Sequence, residues 1–257
     1  MSHSFYLGID ADKQAVESTD HVLLLGGMAT SKTLSMKHSL VEDEQANILV
    51  IDLLGALYEE TARHKQAQGF KVIFINGLEA IDLSLIKQLN GQKKVAIYID
   101  AFSKREAQFG EEGKAANNID HVLQLILTDQ IQPLRVFIDH CVPLLYMPTL
   151  PRFLSLASQF QCQVIMSLYS TSDLLHYSSE EDGLLRGSFY TIALMGNIDP
   201  HSSVYAAGLV RGQDIDLRYI ADGSNHSNME HAVICKREPN KSFTAQWVTK
   251  EYGILTA

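Results

Sequence analysis

The chain has 257 residues, enough for one large α/β domain or two small ones. Hydrophobic residues make up 46%, which excludes intrinsic disorder and permits a sizeable core. The formal net charge of −9, with no run of Lys or Arg, argues against strong non-specific DNA binding, because such binding draws on phosphate neutralisation.

In chain order, short apolar runs rich in β-branched residues predict strands at His21–Leu25, Ile48–Leu53, Lys71–Ile75, Lys94–Asp100, Arg135–Asp139, Gln163–Leu168 and Thr191–Met195. Their near-continuous apolar character suggests burial on both faces, as in a parallel sheet. Amphipathic runs between them predict helices at Lys32–Val41, Leu57–Gln68, Asp82–Leu89, Ala115–Asp129 and Leu150–Phe160. Ala232–Lys236 and Phe243–Val248 read as an antiparallel hairpin turning through Glu238-Pro239-Asn240-Lys241. Phe109–Asn118 reads as a loop or a mobile helix start, and Ser178–Gly187 and Asp222–Asn228 read as loops. No linker divides the chain, so residues 1–257 are expected to form one α/β domain, a mostly parallel twisted sheet flanked by helices.

No apolar run reaches the length of a membrane span, and the first residues lack the basic and apolar regions of a signal peptide. Cys141, Cys162 and Cys235 form no C-x-x-C pair, which fits a reduced compartment. A soluble cytoplasmic protein is therefore expected.

The sharpest local feature is Gly26-Gly27-Met28-Ala29-Thr30-Ser31-Lys32-Thr33, between an apolar strand and a helix. A P-loop is written G-x-x-x-x-G-K-[ST]; its backbone N–H groups wrap the phosphates, and the following helix N-terminus favours their charge. Gly26, Lys32 and Thr33 fit. Ser31 replaces the second glycine, and its Cβ and that of Ala29 narrow a cradle built for glycine. The alternative is an ordinary strand-to-helix turn with a surface lysine. In Val136-Phe137-Ile138-Asp139-His140, Asp139 ends a strand as a Walker B aspartate does, where it holds Mg²⁺ together with the loop threonine, here Thr33. Asp139 is expected on the strand next to the P-loop strand, near Lys32 or Thr33. The following position, a glutamate in many P-loop ATPases, is His140.

The chain resembles the TraG/TraD family of conjugative coupling proteins, the type IV secretion ATPases with a RecA-like P-loop domain. Asp52, Gly55, Leu57 and Tyr58 fit the family's D-P-K-G-E-L-Y, whereas Leu53, Leu54 and Ala56 depart from it. Gln68-Gly69-Phe70-Lys71-Val72 resembles Q-G-Y-K-V, Met147-Pro148 resembles I-P before a helix, and Gly196-Asn197-Ile198-Asp199-Pro200 resembles G-N-x-D-P. The resemblance runs from about Phe5 to about Ile254 and implies ATP and Mg²⁺ as ligands.

The departures fall on the chemistry. Tyr169 stands where the family has a glutamine near the nucleotide. Ala157-Ser158-Gln159-Phe160 stands where the family has A-R-x-R, whose arginines help complete a neighbouring subunit's site. The resemblance further implies N-terminal membrane helices and an all-α insert, for which this chain shows no sequence. The reading is a coupling-protein-like module with a degenerate ATP site. It is expected to bind ATP and Mg²⁺ weakly or not at all, to have little or no catalysis and weak direct DNA binding, and to act through protein partners of a conjugation or secretion machine. It is expected to form homo- or hetero-oligomers and to meet the membrane only through partners. Two alternatives stay open: an active ATPase using His140, and a nucleotide-binding regulator outside conjugation.

Other constellations are weaker. His226 and His231 are poorly spaced for a helical metal pair. Glu180-Glu181-Asp182 reads as an exposed acidic loop. Cys141 and His140 are adjacent on a strand end and point to opposite faces, a poor nucleophile–base geometry.

Overall fold

The structure, a computed structural model, describes residues 4–27, 30–44, 46–52, 55–90, 94–100, 111–132, 134–141, 147–196, 198–209, 231–236 and 241–246. Eleven strands form one sheet: β1 Phe5–Ile9, β2 Ala15–Ser18, β3 Val22–Leu25, β4 Asn47–Asp52, β5 Lys71–Asn76, β6 Val95–Asp100, β7 Leu134–Asp139, β8 Cys162–Leu168, β9 Thr191–Leu194, β10 His231–Lys236 and β11 Lys241–Gln246. Their order is β2-β1-β11-β10-β9-β3-β8-β7-β4-β6-β5. From β9 to β5 every pairing is parallel. From β9 to β2 every pairing is antiparallel. The chain has the α/β fold expected from its sequence, with the β10–β11 hairpin extending the parallel sheet.

The helices are α1 Lys32–Glu42, α2 Ala56–Ala67, α3 Leu83–Lys87, α4 Glu111–Asp129, α5 Thr149–Ala157, α6 Ser179–Ser188 and α7 Pro200–Leu209. They cover both faces of the sheet, which explains the continuous apolar strands. On β4, Leu49 and Ile51 face a core shared with Ile119, Val122, Leu150, Phe153 and Leu185. Ile48 and Val50 face the other core, with Met36, Leu40 and Leu57. Alternate residues of one strand thus serve two cores, as the two-residue period of a strand requires.

Four sequence expectations need correction. The described part of Phe109–Asn118, residues 111–118, is helical and opens α4. Buried Ala115 and Ala116 begin its apolar face, and Asn118 Nδ2 donates to the Gly77 and Glu79 carbonyls at 2.9 and 2.8 Å. Ser178–Gly187 is not a loop but mostly α6. Ser178 Oγ accepts from Glu181 N at 3.3 Å while the Glu181 carboxylate accepts from Ser178 N at 3.1 Å, a capping box. The acidic run Glu180–Asp182 is therefore a helix first turn, where negative charge meets the positive dipole end. Thirdly, β8 lies between β3 and β7, so Asp139 ends a strand one removed from the P-loop strand. Finally, β1, β2 and α7 had no counterpart in the sequence reading. Asp222–Asn228, His226 and the hairpin turn at Glu238–Asn240 lie outside the described residues.

Candidate functional site

In a parallel sheet all strands end at one edge, and open α/β sheets bind ligands there. That edge gathers Gly26 after β3, Asp139 on β7, Tyr169 after β8 and Gly196 after β9. Asp52 ends β4 there too, but its carboxylate is committed to the start of α2. It accepts from Gly55 N at 3.0 Å and Leu57 N at 2.6 Å, with Gly55 left-handed at φ 74°. The D-x-x-G-x-L-Y pattern is thus a helix cap. Asp199 plays the same part for α7, accepting from His201 N at 2.9 Å and Ser202 N at 3.2 Å, with Pro200 at the first helical position.

The loop after β3 is stitched to its neighbours by backbone. Gly26 N donates to Leu168 O at 3.3 Å, Gly27 N to Gly196 O at 3.2 Å and Met195 N to Leu25 O at 2.7 Å. Gly26 is there because nothing larger fits. A Cβ would stand 2.7 Å from Thr30 Oγ1, 2.8 Å from Met195 O and 3.0 Å from Gly196 O. Two of those three atoms are backbone and move only with the chain. Gly26→Ala is expected to cost about 1–3 kcal/mol, as overpacking does. Urea unfolding checks this, and a change below about 0.5 kcal/mol would show that the 195–196 turn gives way. Ser31 holds the left-handed conformation a second P-loop glycine would supply, at φ 65° and ψ 11°. A Cβ in that region costs roughly 1–2 kcal/mol. The backbone path therefore survives without the glycine.

From Ser31 the chain enters α1, whose first turn carries no acidic residue and no side-chain cap. Its N–H groups and positive dipole end suit an anion. Lys32 is only 6% exposed. Its ammonium donates to Gly26 O at 2.5 Å, Gly27 O at 2.6 Å and Thr30 Oγ1 at 3.1 Å, and lies 5.1 Å from the Tyr169 ring centre. Burial pushes its pKa down to about 8, against the opposing pull of Asp139. Thr33 Oγ1 donates to Asp139 Oδ2 at 2.7 Å, so the two candidate Mg²⁺ ligands meet although a strand separates β3 from β7. The intervening strand supplies the bridge: Ser167 Oγ donates to Asp139 Oδ1 at 2.5 Å and accepts from His140 N at 3.0 Å. His140 is left-handed at φ 52°, with its N–H also 3.1 Å from Asp139 Oδ1. Its Nδ1 is 2.7 Å from the Tyr169 hydroxyl. Burial, then the charges of Asp139 and Asp173, raise the Tyr169 pKa.

The structure thus brings together Gly26, Gly27, Ser31, Lys32, Thr33, Asp139, His140 and Tyr169. Met28 and Ala29 lie outside the described residues. Ser167 and the carbonyls of Met195 and Gly196 were missed by the sequence reading. The S-L-Y step held the signal for Ser167, since a strand-end serine two residues before Tyr169 points to the same face. Ser158 and Phe160 follow α5 and precede β8, at the opposite edge of the sheet. A cavity of about 1100 Å³ opens at that edge, between α5 and α6, bordered by His21, Arg135, Ser158 and Tyr190. It is far larger than the cradle, but the phosphate-type chemistry is at the other edge. Cys141 is fully buried and its thiol pKa is pushed up by burial, so it is no nucleophile. Among the described residues no group of metal-ligating side chains stands out, and no helix is long and apolar enough to cross a membrane.

No protein-family model and no curated protein sequence matches the chain. Solved structures do. VirB4 of Thermoanaerobacter pseudethanolicus is 12% identical at a TM-score of 0.67, covering 98% of both chains. The bacterial conjugative coupling protein TrwB, in an unbound form, is 12% identical at 0.60, covering 95% of this chain and 89% of its own. TrwB in complex with ADP and Mg²⁺ is 13% identical at 0.61, covering 90% and 85%. The fold of this chain is the P-loop ATPase fold of these structures.

Proposed function

We propose that the chain is a coupling-protein-like module of a conjugation or type IV secretion machine. On this reading it keeps a phosphate cradle, has lost most of its hydrolytic chemistry, and works by binding machine partners. The observation that carries it is the Thr33–Asp139 bond beside Lys32, the pairing an Mg-nucleotide needs, next to a Tyr169–His140 pair where a catalytic glutamate and a glutamine would stand. The residues fit the group. Lys32 and the α1 N-terminus would meet phosphate oxygens, and Thr33 and Asp139 would hold Mg²⁺, which supplies charge neutralisation when bound. Support for the machine setting comes from the likeness to VirB4 and to TrwB, the latter solved with ADP and Mg²⁺.

Thermal melts with Mg-ADP test the cradle. A ligand that binds only the folded chain raises its stability as RT ln(1 + [L]/Kd), or about 2.7 kcal/mol at a hundred times Kd. The melting temperature is expected to climb with millimolar Mg-ADP, and Lys32→Ala and Asp139→Asn are each expected to abolish the climb. No shift at about ten millimolar would sink the nucleotide part. Crosslinking in the producing cell, read by mass spectrometry, tests the rest. Secretion-machine subunits are expected among the partners, and their absence alongside a Mg-ADP shift would favour a regulator outside conjugation.

A further inference from the structure

The geometry points to Tyr169 as the residue that sets how tightly this cradle takes a phosphate group, by holding Lys32 against its own loop. This rests on the phosphate-cradle reading above. A lysine ammonium has three N–H donors. All three are matched within the loop, by Gly26 O, Gly27 O and Thr30 Oγ1, the longest contact being 3.1 Å. The Tyr169 ring stands over the same ammonium at 5.1 Å, an attraction between cation and ring face. The ring is itself tethered. Its hydroxyl meets His140 Nδ1 at 2.7 Å, and the two rings lie 5.4 Å apart. His140 is fixed in turn through its N–H to Asp139 Oδ1 and Ser167 Oγ. Asp139 returns to the loop through Thr33. The contacts therefore close a circuit, Lys32 to Tyr169 to His140 to Asp139 to Thr33. A phosphate must draw Lys32 away from loop carbonyls and from the ring. The apparent affinity then falls by the fraction of molecules in which Lys32 is released. Removing the ring removes one side of that competition and leaves Lys32, Thr33 and Asp139 in place.

The test is a calorimetric titration of Mg-ADP into the parent chain, Tyr169→Phe, Tyr169→Ala, and Tyr169→Ala with Lys32→Ala. Tyr169→Ala is expected to bind at least about tenfold more tightly than the parent, corresponding to a competent fraction below about a tenth. Tyr169→Phe keeps the ring and loses the tether, so it falls between them; it also keeps the test decisive if Tyr169→Ala fails to fold. The double variant is expected to lose the gain. A second readout needs no nucleotide. Acylation of Lys32 by an amine-reactive ester, followed by peptide mass spectrometry with exposed Lys13 as reference, is expected to be faster in both Tyr169 variants. Mg-ADP binding that is equal in the parent and both Tyr169 variants, with unchanged acylation, overturns the role of Tyr169 and leaves the cradle standing. No binding in any folded variant overturns the cradle itself, and the role of Tyr169 with it.

Discussion

Steady-state turnover of Mg-ATP by the purified chain is expected to stay at least about a hundredfold below the roughly 1–10³ s⁻¹ of ordinary enzymes. Hydrolysis needs a group that orients or deprotonates water and a cation that takes up developing charge. The side chain after Asp139 is an imidazole whose Nδ1 is occupied by Tyr169 at 2.7 Å and whose backbone is pinned in a left-handed turn. General-base assistance is typically worth about 10²–10⁴ in rate. No arginine stands at Ser158 or Phe160, where a neighbouring copy would deliver one, and an arginine finger is worth about 10³–10⁵ in GTPases. Either loss alone accounts for the expected drop. Phosphate release, measured with and without single-stranded DNA, decides it. A turnover of about 1 s⁻¹ or more, abolished by Lys32→Ala, would show that His140 serves as the base and that the active-ATPase reading is right.

A large effect on stability is expected from Asp43→Ala. Arg135 is 3% exposed, and its guanidinium meets Asp43 Oδ2 at 2.9 Å and Ser39 Oγ at 3.1 Å while lying 5.2 Å from the Phe137 ring. Burial pulls the Arg135 pKa down and Asp43 holds it up. Asp43 Oδ1 also accepts from Ala46 N at 3.0 Å, fastening the turn between α1 and β4. Truncating one partner of a buried pair leaves the other charge without compensation, at about 3–5 kcal/mol. For a domain of this size that lowers the melting temperature by roughly 6–20 °C. Replacing both partners by apolar residues, Asp43→Leu with Arg135→Met, is expected to recover most of the loss. Arg135 also borders the cavity beside α5, a route for water. A loss below about 1 kcal/mol for Asp43→Ala would mean that water from the cavity replaces the carboxylate.

The sequence by itself determined the parallel sheet. Its strands are apolar at every position because each is covered on both faces, and that leaves a run of four to seven apolar residues that no surface element imitates. It also placed Gly26, Lys32, Thr33 and Asp139 at strand ends, since a chemical group that must meet a ligand at the carboxyl edge follows directly on an apolar run. Local chemistry that competes with itself was harder to read. In α6, Gly183 and Gly187 suggested a loop, while the Ser178–Glu181 capping box and the buried Leu185 made a helix. α7 is apolar on all sides and has no amphipathic period to detect.

Strand order was decided by the tertiary structure alone. β1 pairs with β11, at the other end of the chain, and β8 inserts between β3 and β7. Such neighbours are chosen by long-range packing and leave no mark on local periodicity. The state of the cradle was decided the same way. The sequence names a lysine, a tyrosine and a histidine on three separate loops. Only the stacking of β3, β8 and β7 puts the Lys32 ammonium under the Tyr169 ring and that ring's hydroxyl on His140. The distances between side chains brought together by three different strand ends are set by sheet register and twist, and neither quantity is written in any one of the segments.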